Sequence, residues 1–133
     1  MTQVQLAGVA LFSIVLSGGP SLFAHHSAAA AYDVDSKVTF TGTVTRLDWK
    51  NPHIFYFIDV VDEAGKVTNW AIEGSTPNQL YRNGWRKDDL KIGDKVTVTG
   101  SSPARNGTPK AYGGIVTLPD GRRVLGGSAS TDR

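Results

Sequence analysis

Every histidine of this chain lies in one of two short segments, Ala24-His25-His26 and Asn51-Pro52-His53. Imidazole nitrogen suits copper, zinc, iron and nickel, and nitrogen-rich tetragonal sites favour Cu(II). His25 and His26 close an apolar N-terminal run, and His53 follows a turn-forming Asn-Pro pair. If the run is a secretory signal cut after Ala24, the remaining chain begins with histidine. That residue offers a free amine and an imidazole, two nitrogens in chelating position. The imidazole of His53 would add a third, in a T-shaped set. His26 is the alternative third ligand, through its ring or its backbone nitrogen. Glu73, Tyr32, Asp33 and Asp35 are candidates for oxygen ligation or for hydrogen bonds that orient the ligands.

Sulfur chemistry is excluded. There is no cysteine, and the single methionine is Met1, which leaves with the signal. Any copper site is therefore built from nitrogen and oxygen, better suited to Cu(II) than to Cu(I). Binding must compete with protons, so affinity is expected to weaken from neutral pH toward about pH 5. The plainer alternative is that the opening histidines have no role and that His53 is an ordinary hydrogen-bonding residue at a strand end. The spacing is less diagnostic than a Cys/His zinc pattern with a fixed gap. Catalysis has little support. Ser27, Ser75, Ser101 and Ser102 show no base with an orienting partner, and a pair such as Glu73 and Asp59 arises by chance in any sheet. We expect a binding protein and no enzyme.

These residues need a leader and a scaffold. Leu6 to Leu16 is apolar but too short to span a bilayer, which takes about 20 residues. Gly18-Gly19-Pro20 breaks it, and Ala24 supplies a small residue before the cut, so residues 1–24 read as a signal peptide. The positive charge usual at the start is missing, and Leu22 and Phe23 are bulky; an uncleaved anchor is the alternative. Residues 25–133 suffice for one small domain with no membrane span, located in the periplasm or outside the cell. Residues 25–35 form a leader segment whose alanines allow a helical turn that cannot stand alone. Residues 36–125 form the domain, and 126–133 a polar, disordered tail. The net charge of +2 arises from 14 basic and 12 acidic residues, mixed along the chain, and no basic run suggests a nucleic-acid partner.

Within the domain, Val38, Phe40, Gly42 and Val44 alternate with Thr39, Thr41, Thr43 and Thr45, the period-two pattern of a half-buried strand. Gly42 in its middle marks a bulge or a sharp bend. His53 to Val61 is a second strand, Asp62 to Gly65 a hairpin turn, and Val67 to Glu73 the return. Thr76 caps a helix with Pro77 in its first turn, ending at Asn83-Gly84. Val96 and Val98 point inward from a fourth strand, 101–109 reads as a polar loop, and Ala111 to Leu118 is a fifth strand. Pro119-Asp120-Gly121 turns into a short final arm. One helix between the third and fourth strands is the order of an OB-fold, so we expect a mainly β protein: a small OB-like barrel of five to six strands with one short helix.

Ala24-His25-His26-Ser27, Gly42-Thr43-Val44, Trp49 with Asn51-Pro52-His53, Trp70 with Glu73, Gly84-Trp85, Gly93-Asp94-Lys95-Val96 and Pro103-Ala104-Arg105 together resemble a family of small exported bacterial proteins of unknown function. The resemblance runs over residues 24 to 125 and implies export and a barrel, with no established activity. The histidine start is similar to the histidine brace of certain copper proteins. More distantly, the strand order is similar to that of periplasmic OB-fold copper chaperones, which hold Cu(I) with methionine, histidine and tryptophan. Without methionine that site does not carry over.

Two further surfaces are candidates for binding. Trp49, Phe55, Tyr56, Phe57, Trp70, Tyr81, Trp85 and Tyr112 can form a stacking face for a small ligand or a periplasmic protein partner, although a domain this small needs most of them in its core. Trp49 and Tyr56 are the pair expected at the surface. Arg105, Lys110, Arg122 and Arg123 can form a basic edge. The expectation is a periplasmic metal-binding protein using His25, His26 and His53 with copper. A non-metal binding module on the barrel face is the alternative.

Overall fold

A computed structural model of the chain describes residues 28–127. Residues 1–27, with the expected signal peptide, His25 and His26, and residues 128–133 of the expected tail lie outside the described residues. After a helical turn at 28–31, the elements are β1 (Val38–Asp48), β2 (Phe55–Val61), β3 (Val67–Glu73), α1 (Pro77–Arg82), β4 (Lys95–Pro103), β5 (Lys110–Tyr112), β6 (Ile115–Thr117) and β7 (Arg123–Leu125), with a 3-10 turn at Lys87–Asp89. The sheet runs β1-β2-β3-β5-β4 and closes because β1 also pairs with β4. The closing β3–β5 contact is parallel, Ala71 to Glu73 against Lys110 to Tyr112. The hairpin β6–β7 is appended to β4. This is the mainly β, OB-like barrel expected, with its helix between the third and fourth strands.

The closure depends on β1 serving two partners. Its first half, Val38 to Thr43, pairs with β4, and its second half, Thr43 to Asp48, with β2. Gly42 stands where the strand changes partner. A Cβ there would lie 2.5 Å from the carbonyl oxygen of Asp59, so only glycine admits the β2 backbone. The register slips flank the glycine, between Val38 and Thr39 against β4 and between Val44 and Arg46 against β2. Phe40 and Val44 face inward and the threonines between them outward, as their alternation requires.

The core is lined by Ile54, Tyr56, Ile58, Ile72, Leu80, Trp85, Val96 and Val98, all at most 2 % exposed. Trp85, just past α1, packs edge-on against Tyr56 and Trp49, at 5.7 and 5.8 Å between ring centres. Helix α1 begins as its sequence dictates: the Thr76 hydroxyl accepts from the Gln79 amide at 3.2 Å, and Pro77 occupies the first turn.

Three expectations need correction. Tyr56 is fully buried, because even-numbered residues of β2 face the core, and so is not a surface partner for Trp49. Strand β4 continues to Pro103, so 101–103 is no loop: Ser101 is buried and donates to the carbonyls of Tyr112 and Gly113 at 3.1 and 3.0 Å. Finally, 111–118 is two strands. Gly113 and Gly114 have φ of +67° and +96°, and a Cβ on Gly114 would meet the Thr99 carbonyl at 2.9 Å. The chain crosses β4 there, at a distance only glycine tolerates.

Candidate functional site

Glu73 ends β3 and stands beside Tyr112 of β5 across the closing seam. His53 precedes β2 and follows the cis Asn51–Pro52 peptide bond. Two backbone bonds extend the β2–β3 ladder up to it: Gly74 donates to the Ile54 carbonyl at 2.9 Å, and Ile54 to that of Ser75 at 3.1 Å. His53 is thereby set opposite Glu73, and its Nδ1 lies 2.5 Å from Glu73 Oε1. The other carboxylate oxygen, Oε2, accepts from the Tyr32 hydroxyl at 2.6 Å. Tyr32 is 8 % exposed and stacks on Tyr112, 5.5 Å between ring centres.

A carboxylate accepting on both oxygens fixes the imidazole it meets. Nδ1 of a neutral His53 carries the proton, and Nε2 is left with the free lone pair. The His53 side chain is 39 % exposed, against 18 % for Glu73, so the ring reaches solvent while its anchor is mostly covered. Burial, then the hydrogen bond and charge of Glu73, push the Tyr32 phenol well above its ordinary range, so it stays a neutral donor. The arrangement presents one oriented imidazole nitrogen, with one oxygen of the neighbouring carboxylate held by the ring's own Nδ1 and the other by Tyr32.

Tyr32 also brings the leader to this place. It forms an isolated antiparallel bridge with Ala104. The Asp33 amide donates to the Pro103 carbonyl at 2.8 Å, and the Arg105 amide to that of Ala31 at 3.0 Å. Residues 28–33 are docked on the barrel, which sequence alone left open.

The structure therefore unites three of the nominated residues, Tyr32, Glu73 and His53. Asp33 does not join them. Its carboxylate accepts from the Ser36 hydroxyl at 2.7 Å, the main reason it titrates below the usual range, and from the Asp35 amide at 3.3 Å. Asp35 contributes only that exposed amide. Among the described residues, no group of three or more His, Cys, Asp or Glu side chains is placed to hold a metal. His53 is the one histidine among them; His25 and His26 lie outside the described residues. Two residues of the site escape nomination from sequence. Tyr112 stands out there only as a stacking aromatic, and Arg105 only as part of a basic edge, although it belongs to the Pro103-Ala104-Arg105 segment that carries the family resemblance.

Part of that basic edge is paired with carboxylates. Arg122 is bonded to Asp120 at 2.7 Å and to Asp89 at 2.8 Å, and both carboxyls are held below the usual range by it. Of the aromatics, Tyr56 and Trp85 are core, while Phe55 and Phe57 are half-buried on the outer face, with the Arg46 guanidinium 3.6 Å above the Phe57 ring. Among the described residues no helix is long and apolar enough to cross a membrane.

Fold and site define a small closed β-barrel whose end carries a Tyr–Glu–His hydrogen-bonded chain beside a docked N-terminal leader. The chain belongs to a family of unknown function (DUF6152), whose model matches residues 13–113. No functionally curated protein matches it, and no solved structure does.

Proposed function

We propose that this is an exported metal-binding protein that takes up Cu(II) in the periplasm or outside the cell. The ligands are the N-terminal amine and imidazole of His25 and Nε2 of His53, with His26 in support. The observation that carries this reading is the 2.5 Å contact between Glu73 and Nδ1 of His53. Metal-bound histidines almost always give their second ring nitrogen to such a carboxylate or carbonyl, which fixes the tautomer and raises the basicity of the ligating nitrogen. The docked leader supports it too. From Ala28 three residues lead back to His25, a reach of at most about 11 Å, and the turn at 28–31 is tied to Glu73 through Tyr32. The role is binding and not catalysis.

The test uses protein purified from the export compartment, its N-terminus sequenced, then titrated with Cu(II). A protein starting at His25 should give a type 2 copper EPR signal that changes in both His25→Ala and His53→Ala. One residue added ahead of His25 should abolish the site. A signal indifferent to all three changes removes the proposal.

The second reading, a binding module without metal, is favoured by the half-buried Phe55 and Phe57 on the outer face. It predicts that the added residue changes nothing, and that Phe57→Ala weakens capture of the ligand or partner.

A further inference from the structure

The helical turn at 28–31 cannot support itself, because one turn gains too few internal bonds to offset the ordering of its residues. Its carbonyls need donors from elsewhere. The Ala28 carbonyl has the Tyr32 amide at 2.8 Å. The next two bonds come from a single residue on the β4–β5 connection. The Arg105 amide donates to Ala31, and Arg105 Nε donates to the Ala29 carbonyl at 2.9 Å. Its Nη1 stands 4.0 Å from Asp33 Oδ1, so the same guanidinium faces both sides of the leader. The platform beneath it is firm: Asn106 Oδ1 accepts from both the amide and the hydroxyl of Thr108, and Ala104 donates to the Lys110 carbonyl at 2.9 Å.

We infer that Arg105 is a positioning residue that clamps the leader, holding residues 29–33 in place on the barrel beside the Tyr32–Glu73 bond. The inference rests on the copper reading for its consequence but not for the clamp itself. Arginine suits the task because its planar fork addresses a carbonyl and a carboxylate together; lysine offers a single charged centre and recovers only part of the effect. Tyr32 and Arg105 act on different halves of the site. Tyr32 reaches Glu73 and hence the His53 ring, whereas Arg105 reaches only the leader.

The experiment has three readouts. In metal-free protein, amide hydrogen exchange at Tyr32 and Asp33 should be about tenfold faster in Arg105→Ala than in wild type, while Val98 in the core is unchanged. The nitrogen NMR signature of His53, with its proton on Nδ1, should be unaltered by Arg105→Ala and altered by Glu73→Gln. In a titration of Cu(II) against nitrilotriacetate, Arg105→Ala should lose about tenfold in affinity and Arg105→Lys less. Unchanged exchange at Tyr32 and Asp33 overturns the clamp. Faster exchange with wild-type Cu(II) affinity overturns its role in positioning ligands. If wild type takes up no Cu(II), the metal reading falls, and the exchange data still decide whether Arg105 holds the leader.

Discussion

Glu73 shows how much one side chain settles. Each of its oxygens accepts one hydrogen bond, from partners on different segments, so it ties the leader, β3 and the start of β2 at one point. Glutamine at this position keeps the shape but replaces one acceptor by a donor. On the proposed copper reading, Glu73→Gln should therefore lower Cu(II) affinity by about 10- to 100-fold, measured by competition with a chelator, while the far-UV spectrum is kept. A second prediction concerns alkali. Tyr56 is raised by burial, Tyr32 and Tyr112 by burial and then by Glu73. A raised phenol disfavours the folded state once the unfolded chain can ionise its tyrosines. Their folded-state values lie above the ordinary value of about 10, so the stability they contribute is complete below that pH and is lost as pH rises past it. The urea midpoint should fall between pH 9 and pH 11; a flat profile would contradict this. From sequence, Tyr32, Glu73 and His53 could be nominated by residue type, but not their connection. Tyr32 and Glu73 are 41 positions apart, and no local spacing encodes that meeting.

At the scale of elements, much was legible because the relevant physics is local. The alternation of β1, the Thr76-Pro77 helix start and the hairpin at Asp62 to Gly65 all follow from side-chain period or turn chemistry. Asp62 accepts from the amides of Ala64 and Lys66, both at 2.9 Å. Where local pattern misleads, a long-range contact decides. Ser101 and Ser102 look like loop residues until the carbonyls of Tyr112 and Gly113 and the Lys37 ammonium reach them. A Gly-Gly pair inside an apolar run does not reveal that another strand passes beneath it. Two substitutions probe this level. Thr76→Ala removes the helix cap and should cost about 1 kcal/mol. Gly42→Ala forces a methyl into the Asp59 carbonyl and should cost about 1–3 kcal/mol or more. Thermal unfolding with a two-state fit measures both, and Gly42→Ala should be the more damaging.

For the molecule as a whole, the order of elements made the barrel legible, because one helix after three strands leaves few ways to close a small sheet. The plug of that barrel was not legible. Among the eight aromatics considered for a stacking face Trp85 has no distinguishing mark, yet it is fully buried between Tyr56 and Trp49. Trp85→Ala should cost about 3–5 kcal/mol, a large share of the roughly 5–15 kcal/mol that holds a domain together. Its melting temperature should drop far more than that of Trp49→Ala, whose ring is only half-buried.

The seam that closes the barrel also sets an order in time. The β1-β2-β3 meander joins neighbours in sequence, whereas the leader meets its partners across 41 residues at Glu73 and 76 at Arg105. Long loops are closed late, after local pairings have formed. The Tyr32–Glu73 bond is thus among the last contacts to form, whereas His53 meets Glu73 earlier, across the 20 residues of the β2–β3 hairpin. In a refolding time course, tryptophan fluorescence should recover before the Tyr32 and Asp33 amides gain protection from hydrogen exchange. A local hairpin thus aims the imidazole, and the leader bolts onto an anchor that already stands.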